Sequence, residues 1–409
     1  MVVCGLLVDH AEIYYATVTR SSLRTRILCY RLDDVAESSR DARDSDKGGG
    51  ISKENNNWVL VGQRIEGFKS PLRISLCVKV SVVICTYTLN MYEHFCEAAD
   101  SVLAQTYDDV EIVVIVDGTP DVYERVIDDY GDREDTVIKC NDENLGLLQS
   151  RNQGAEIASG DVVAFIDDDA IADEVWVERL VRAYEERDTV AVGGKMVPEW
   201  VAGKPSFLPE EFYWLVGVTH RGFADGSGEV RNTFGSNISF RTSVFEELGG
   251  FDANIGGRKG DKNLQGGETE LCARMQQEYG HAVWYDPEAE VAHKVFDYRT
   301  KLCWLIDRAF WQGYSKRAME SFVDNEGNEE KEFLRELMTS VVPIRIRSMI
   351  SNPSTNGMSQ FFGLFLFTFI VGIGYTYALW DWDDDTLIQR SGDLSGSPGS
   401  SSNTHSEKT

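Results

Sequence analysis

The segment GDVVAFIDDDA, residues 160–170, decides the fold class of this chain. Residues 162–166 form a short apolar run rich in β-branched side chains, which is typical of a buried parallel strand. Asp167, Asp168 and Asp169 follow it directly, and three adjacent carboxylates repel one another unless a cation or hydrogen-bond donors compensate. A solvated acidic turn is the alternative interpretation. The position at a strand end favours a ligand site, because ligands of α/β sheets bind beyond the carboxyl ends of the strands.

Similar strand patterns alternate with helical ones on the amino-terminal side of this segment. Strands are predicted at 80–86, 111–116 and 136–139, and helices at 91–105, 123–130 and 146–158. This alternation predicts an α/β fold with a mainly parallel sheet and helices on both faces. Asp117 follows the second strand, where it could accept a hydrogen bond from a base or ribose, and Arg151 could pair with a diphosphate. An ordinary turn and a surface arginine are the alternatives.

The charge of the chain excludes one class of partner. Its 409 residues include 67 acidic and 40 basic side chains, a net charge of −27. A nucleic-acid binder needs a basic surface, so no nucleic-acid partner is expected. Residues 1–77 carry 11 basic and 10 acidic side chains, so the acidic excess lies entirely in residues 78–409. We interpret this excess as adaptation to high salt, with an ordinary acidic protein as the alternative.

The first 77 residues differ from the remainder in charge and pattern. They contain GGG at 48–50 and NNN at 55–57, without a sustained hydrophobic period. We expect residues 1–77 to be a dispensable extension, disordered or produced by the choice of start site, with translation beginning near Val78. A small accessory domain is the alternative.

The carboxyl-terminal part contains one candidate membrane span. Residues 361–380 are uncharged, and 20 helical residues reach roughly 30 Å, the thickness of the bilayer core. Arg345 and Arg347 precede this stretch and a run of aspartates follows it, which predicts one crossing with the catalytic part in the cytoplasm. Residues 301–360 would be helical and juxtamembrane, and 381–409 an acidic, Ser/Gly-rich tail.

Seven motifs in order resemble family 2 glycosyltransferases of GT-A fold, and they cover residues 78–300. They are VSVVICTY at 80–87, VVIVDG at 113–118, ENLGLLQSRNQG at 143–154, GDVVAFIDDDA at 160–170, TFGSNISFRTSVFEELGGFD at 233–252, GGETEL at 266–271 and AEVAHKV at 289–295. The resemblance implies a UDP-sugar-dependent hexosyltransferase with a divalent cation, Mg²⁺ or Mn²⁺. Competing classes are a nucleotidyltransferase, against which the loop TYTLN at 86–90 counts because it lacks Gly and Lys, and a non-catalytic adaptor.

The resemblance also implies roles for individual residues. Thr86 and Asp117 would hold the uracil and ribose, and Arg151 the diphosphate. Asp167 and Asp168 would bind the nucleotide sugar. Asp169 and His293 would bind the metal.

The catalytic base is assigned by the family's acceptor-side motif. The family commonly has Glu-Asp there, whereas this chain has Gly267-Glu268, so Glu268 becomes the base. Glu270 and Asp252 are the alternatives. Within the family, the similarity to haloarchaeal enzymes of protein N-glycosylation implies transfer of glucuronate to a dolichyl-phosphate-linked saccharide at the membrane. Another donor, UDP-glucose or UDP-N-acetylhexosamine, in cell-surface polysaccharide synthesis is the alternative.

Overall fold

The protein is described here from a computed structural model. It gives residues 78–255, 262–320 and 334–382 in full, and the backbone of Gly257–Lys259 and of five strands before residue 78. Contacts divide the chain into two compact units, Met1–Cys77 and Val78–Thr409. The side chains of residues 1–77 and the tail 383–409 lie outside the described residues, so the predictions for both stay predictions.

The first unit contains two small antiparallel sheets. One joins β1 (Val3–Asp9), β2 (Glu12–Ser21) and β3 (Arg24–Tyr30), and the other is the hairpin of β4 (Gly50–Glu54) and β5 (Asn57–Val61).

The second unit alternates strands and helices, as predicted. Its strands are β6 (Val80–Thr86), β7 (Val110–Val116), β8 (Thr136–Cys140), β9 (Val162–Asp167), β10 (Ala170–Ala172), β11 (Ala191–Trp200), β12 (Gly228–Val230), β13 (Ile238–Arg241), β14 (Gly257–Lys259), β15 (Lys262–Leu264) and β16 (Val283–Val295). Its helices are α1 (Tyr92–Leu103), α2 (Pro120–Tyr130), α3 (Leu147–Ile157), α4 (Trp176–Glu186), α5 (Thr242–Glu247), α6 (Gly267–Tyr279), α7 (Leu302–Met319), α8 (Val342–Ser351) and α9 (Thr355–Asp381).

A nine-stranded sheet organises this unit. Its order is β10-β16-β11-β13-β9-β6-β7-β8, with β12 beside β16. The four strands β8, β7, β6 and β9 are parallel. Beyond β9 the sheet is mixed, because β13 runs antiparallel to both β9 and β11, while β11 and β16 are parallel. The predicted α/β class is confirmed, and the parallel arrangement is confined to part of the sheet.

The sheet is buried on both faces, which explains the continuous apolar runs in its strands. In β6, Val82 and Ile84 pack into the hydrophobic core on one face, and Val83 and Cys85 into the core on the other. All four side chains are almost completely buried. A strand that alternates apolar and polar side chains could not occupy this position.

The predicted apolar span at residues 361–380 lies within α9. Among the described helices, α9 is the one that is long and apolar enough to cross a membrane. It packs against α7, which carries two basic residues, Lys316 and Arg317, in its last turn.

Candidate functional site

The predicted acidic residues meet at the carboxyl ends of neighbouring strands. Asp167 is the last residue of β9 and lies opposite Cys85 of β6, next to Thr86. Thr86 in turn lies opposite Val116, which precedes Asp117. The parallel register therefore brings together residues from three separate motifs, as the sequence predicts.

Arg151 connects two carboxylates within the site. Its Nη2 atom lies 2.5 Å from Oδ1 of Asp167, and its Nη1 atom 3.0 Å from Oε1 of Glu268. The side chain is only 2% exposed. Burial alone would lower the pKa of this guanidinium, but the charges of Asp167 and Glu268 outweigh burial and raise it. The side chain is therefore a permanent cation that holds both carboxylates, and its predicted contact with the diphosphate stays a prediction.

Asp169 is held by two basic side chains, His293 of β16 and Arg299 of the turn that follows that strand. Its Oδ1 atom lies 3.3 Å from Nε2 of His293, and Nη2 of Arg299 lies 3.1 Å from its Oδ2 atom. Arg299 Nη1 is also 2.9 Å from His293 Nε2. Burial would raise the pKa of Asp169, but His293 and Arg299 lower it. The pairing of β10 with β16 creates this contact, since Ala170 lies opposite His293.

Asp168 and Thr86 supply oxygen atoms with unmet hydrogen-bonding capacity. The Oδ2 atom of Asp168 and the hydroxyl of Thr86 are buried and have no hydrogen-bond partner of good geometry in the described part of the chain. Burial, together with the charges of Asp169 and Asp167, raises the pKa of Asp168 to about 7. A bound cation would give these oxygen atoms a partner and would favour the ionised form of Asp168.

The donor set suits a hard divalent cation that also binds a ligand's phosphates. No group of three or more metal-ligating side chains is already clustered among residues 78–255, 262–320 and 334–382. The side chains of Asp169 and His293 nevertheless lie close together, and the guanidinium of Arg299 contacts both. Because Mg²⁺ is commonly bound by one or two carboxylates and substrate phosphates, a partial protein cage of this kind fits the predicted cation.

Asp117 organises the loop that leads into α3. Its carboxylate accepts hydrogen bonds from Asn141 Nδ2 at 2.9 Å, Leu145 N at 2.8 Å and Gly146 N at 2.9 Å. Gly118 has a φ of +73°, and a Cβ atom there would lie 2.3 Å from the backbone of Asn144. The predicted contact of Asp117 with base or ribose stays a prediction, and its observed contacts position the helix that carries Arg151.

Of the three candidate bases, Glu268 alone lines the cavity described below. It is the second residue of α6, whose start at Gly267 follows Gly266 with a φ of +113°. Glu270 instead pairs with Arg274 at 2.5 Å. Asp252 accepts a hydrogen bond from the backbone N–H of Asn254 at 2.8 Å within a turn.

Gly235 and Ser236 are site residues to which the sequence analysis gave no role. A Cβ atom on Gly235 would lie 2.0 Å from Glu268 Oε1 and 2.5 Å from Arg151 Nη1. Ser236 Oγ accepts a hydrogen bond from the backbone N–H of Asp167 at 2.9 Å. Both belong to the quoted motif TFGSN, so a glycine followed by two polar residues was the available signal.

A cavity of about 1840 Å³ opens over these residues. Arg151, Asp167, Glu268 and His293 line it, and one flank of α9 forms part of its wall through residues that include Thr368 and Tyr375. Single-ligand pockets have about 300–1,000 Å³, so the space suits two ligands side by side.

Two further arginines, Arg299 and Arg308, line the same cavity. Burial and the charge of Arg299 lower the pKa of Arg308 to about 10. The sequence analysis did not single out either residue, since both lie outside the recognised motifs. Two cations side by side favour an anionic ligand, because an anion would relieve their repulsion.

Comparisons with known proteins relate the chain to glycosyltransferases. The profile of glycosyl transferase family 2 matches residues 81–249. The chain is 51% identical over 303 residues to the glucosyl-dolichyl phosphate glucuronosyltransferase of Haloferax volcanii, which covers 74% of this chain and 96% of that protein. An uncharacterized glycosyltransferase of Haemophilus influenzae is 34% identical over 176 residues, 42% of this chain and 54% of that protein.

One solved structure was found with a partly similar backbone. It is a mannosyltransferase from Pyrobaculum calidifontis in complex with GDP-Man and Mn²⁺. The TM-score is 0.49 at 17% identity, over 75% of this chain and 88% of that one.

The residues that carry the site belong to the matched sequence. Thr86, Asp117, Arg151 and the three aspartates of residues 167–169 lie within the segment that matches the family profile. The alignment with the Haloferax volcanii protein extends over nearly the whole of that relative. The chain therefore belongs to glycosyltransferase family 2 and is a hexosyltransferase, as its sequence predicts.

Proposed function

We propose that this protein is an inverting glycosyltransferase that transfers glucuronate from UDP-glucuronate to a dolichyl-phosphate-linked glucose in protein N-glycosylation. The observation that carries the proposal is the 51% identity with a glucosyl-dolichyl phosphate glucuronosyltransferase across 96% of that protein. The arginines at the cavity support an anionic donor sugar, since Arg299 and Arg308 both line it.

The chemistry assigned to the chain's own residues is a single displacement. Glu268 takes the proton from the acceptor hydroxyl as that oxygen attacks the anomeric carbon, and UDP leaves from the opposite face. Attack opposite the leaving group inverts the anomeric configuration. Arg151 orients the Glu268 carboxylate through its hydrogen bond of 3.0 Å.

We propose Asp169 and His293 as the ligands of a divalent cation, Mg²⁺ or Mn²⁺. When bound, such a cation supplies positive charge that stabilises the diphosphate of the donor. The unpartnered Asp168 oxygen and the pKa of about 7 at that carboxyl support a cation at this edge of the sheet.

We further propose that the enzyme works at the cytoplasmic face of the cell membrane and at high salt. A lipid-linked acceptor stays in the bilayer, so the enzyme has to be held there. The net charge of −27 supports the salt requirement, because screening reduces self-repulsion. A single crossing by residues 361–380 stays a prediction, and the packing of α9 supports a different attachment, argued below.

A donor screen tests the proposal. The purified full chain is offered UDP-glucuronate, UDP-glucose or UDP-N-acetylglucosamine, each with glucosyl dolichyl phosphate in detergent and high salt, and the product's anomeric configuration is read by NMR. Transfer from UDP-glucuronate with inversion is expected. Transfer from another donor alone would reassign the sugar. Release of the sugar 1-phosphate instead of UDP would indicate a nucleotidyltransferase, and inactivity with every donor a non-catalytic protein.

A further inference from the structure

Helix α9 has two faces of different character. Its buried residues, which include Gly363, Phe367 and Ala378, face the rest of the unit. Five of its exposed large apolar side chains lie on one side of the helix: Phe362 at 66%, Phe365 at 45%, Phe369 at 67%, Ile373 at 39% and Trp380 at 91%. At 3.6 residues per turn these five lie within an arc of roughly 80° on the opposite side. We call this arc the aromatic face.

The inner face of α9 is fitted closely to α7. A Cβ atom on Gly374 would lie 1.9 Å from the carbonyl oxygen of Phe310, and one on Gly313 would lie 2.0 Å from that of Val371. The two backbones therefore touch, which requires glycine on both helices. Near its beginning, α9 meets a loop in the same way, because a Cβ atom on Gly363 would lie 2.4 Å from the carbonyl oxygen of Phe207.

Polar and charged contacts run along almost the whole of α9. Near its beginning, Gln360 accepts a hydrogen bond from Arg345 at 3.0 Å, and that arginine also pairs with buried Glu211 at 2.9 Å. Further along, the hydroxyl of Tyr375 lies 2.9 Å from the carboxylate of Glu320.

The end of the helix is fixed by charge as well. Asp381 pairs with Lys262 at 3.2 Å and accepts a hydrogen bond from the hydroxyl of Tyr314 at 2.9 Å. From residue 360 to residue 381 the helix is about 33 Å long, slightly more than the hydrocarbon thickness of about 30 Å. The catalytic unit therefore contacts α9 over a length equal to the bilayer core.

This packing conflicts with a perpendicular crossing. If α9 spanned the bilayer as packed, α7 and the loop at Phe207 would enter the hydrocarbon beside it. Helix α7 carries Asp307, Arg308, Lys316 and Arg317 within 18 residues, and each charge at mid-bilayer costs several kcal/mol. Irregular backbone exposed to lipid is also excluded there.

We propose that α9 lies in the plane of the membrane surface, with its inner face on the catalytic unit and its aromatic face in the lipid. Amphipathic helices bound in this way sink about 5–10 Å into the boundary between headgroups and acyl chains, and Trp and Phe are favoured there. The aromatic face contains no charged residue, so its occupant is the lipid surface.

A third flank of α9 connects this lipid surface to the catalytic site. Thr368 and Gly372 lie beside the aromatic face, Thr376 lies within its arc, and all three line the cavity that contains Glu268. A lipid-linked acceptor could thus reach the cavity by crossing one flank of the helix, without leaving the membrane. This step rests on the proposed function, whereas the orientation of α9 does not.

Labelling of the two helix ends tests the orientation. Ser354→Cys and Asp383→Cys variants of the full chain are exposed to an impermeant maleimide in sealed right-side-out and inside-out vesicles, and peptide mass mapping locates the label. Glu124→Cys on α2 marks the side of the catalytic unit. We expect both helix ends to label from the side on which Glu124→Cys labels. Labelling of the two ends from opposite sides would establish a crossing and overturn the proposal, while the donor screen could still succeed.

A second measurement tests the aromatic face itself. Phe369→Asp should weaken partitioning of the chain into phosphatidylglycerol vesicles at least tenfold, because a charge replaces an exposed aromatic side chain that the proposal places in the lipid. Ile127→Asp, at an exposed position of 39% on α2, is the matched control and should partition like the wild type. Equal partitioning of both variants, or none by the wild type, would contradict the proposal.

Discussion

The Nη1 atom of Arg151 lies 3.0 Å from the Oε1 atom of Glu268, although 117 positions separate the two residues in the chain. The Nη2 atom of the same guanidinium binds Asp167 at 2.5 Å. Since arginine does not lose its proton in proteins, the guanidinium is a permanent positive charge beside the carboxylate of Glu268. One buried cation thereby orients the proposed base and the carboxylate at the end of β9.

The first prediction concerns the base. Glu268→Gln should lower kcat by about 10²-fold or more, because the amide keeps the shape of the side chain but cannot take a proton. Binding of the UDP-sugar, measured by calorimetry, should change little, since Glu268 acts on the acceptor.

Glu270→Gln and Asp252→Asn are the controls for this prediction. Glu270 pairs with Arg274, and Asp252 caps a turn, so these variants should affect stability more than turnover. Near-normal turnover of Glu268→Gln, with loss in either control, would transfer the role of base to that residue.

The second prediction concerns Gly235, which lies against the ion pair of Arg151 and Glu268. Gly235→Ala should lower kcat tenfold or more, because the added methyl would displace Glu268 Oε1, from which it is only 2.0 Å away. The melting temperature should fall as well, since the methyl also lies 2.5 Å from Nη1 of buried Arg151 and would strain its ion pairs. Gly228→Ala, with no atom within 4 Å of the added carbon, is the matched control. Equal kcat values for the two variants would show that the position of Glu268 tolerates the shift.

Much of the fold and half of the site follow from the sequence. Apolar runs rich in β-branched residues, such as residues 80–86 and 162–166, predict buried strands, and parallel register then brings Thr86, Asp117 and Asp167 to one edge. This inference needs no long-range information, because each residue directly ends a strand or follows one.

The remaining site residues could not be predicted in this way. Arg299 lies in a short 3₁₀ turn after β16 and reaches Asp169 across 130 positions, and no local pattern distinguishes it from the other basic residues. The packing of α9 could not be predicted from the sequence for a similar reason. Hydropathy records the composition of residues 361–380, whereas the charged partners Lys262 and Glu320 lie elsewhere in the chain.

The third prediction concerns the cation. Asp169→Ala should abolish transfer and also the binding of Mn²⁺ in the presence of UDP, measured by electron paramagnetic resonance, because one of two proposed protein ligands is lost. The fold should survive, since Arg299 and His293 still contact each other at 2.9 Å. Asp128→Ala on the exposed face of α2 should bind Mn²⁺ like the wild type. Full turnover of the wild type in excess chelator would refute the requirement for a cation.

The last prediction concerns the pH dependence of stability. Glu111 in β7 is 6% exposed, and it accepts hydrogen bonds from Lys79 at 2.6 Å, Ser81 at 2.5 Å and Ser159 at 2.6 Å. Burial would raise the pKa of this carboxyl, but these donors lower it from its ordinary value of 4.5 to about 2. A lowered pKa in the folded state means that the stabilisation is complete above pH 4.5 and is lost as the pH falls towards 2.

Glu111→Gln should therefore reduce the free energy of urea unfolding by about 2–3 kcal/mol at pH 7. The difference from the wild type should shrink as the pH falls from 4.5 towards 2, because in this range the unfolded wild type binds a proton at Glu111 that the folded protein does not. Glu124→Gln, at an exposed position of α2, should match the wild type at every pH. A difference between Glu111→Gln and the wild type that stays constant from pH 7 to pH 3 would show that shape, not charge, makes Glu111 stabilising.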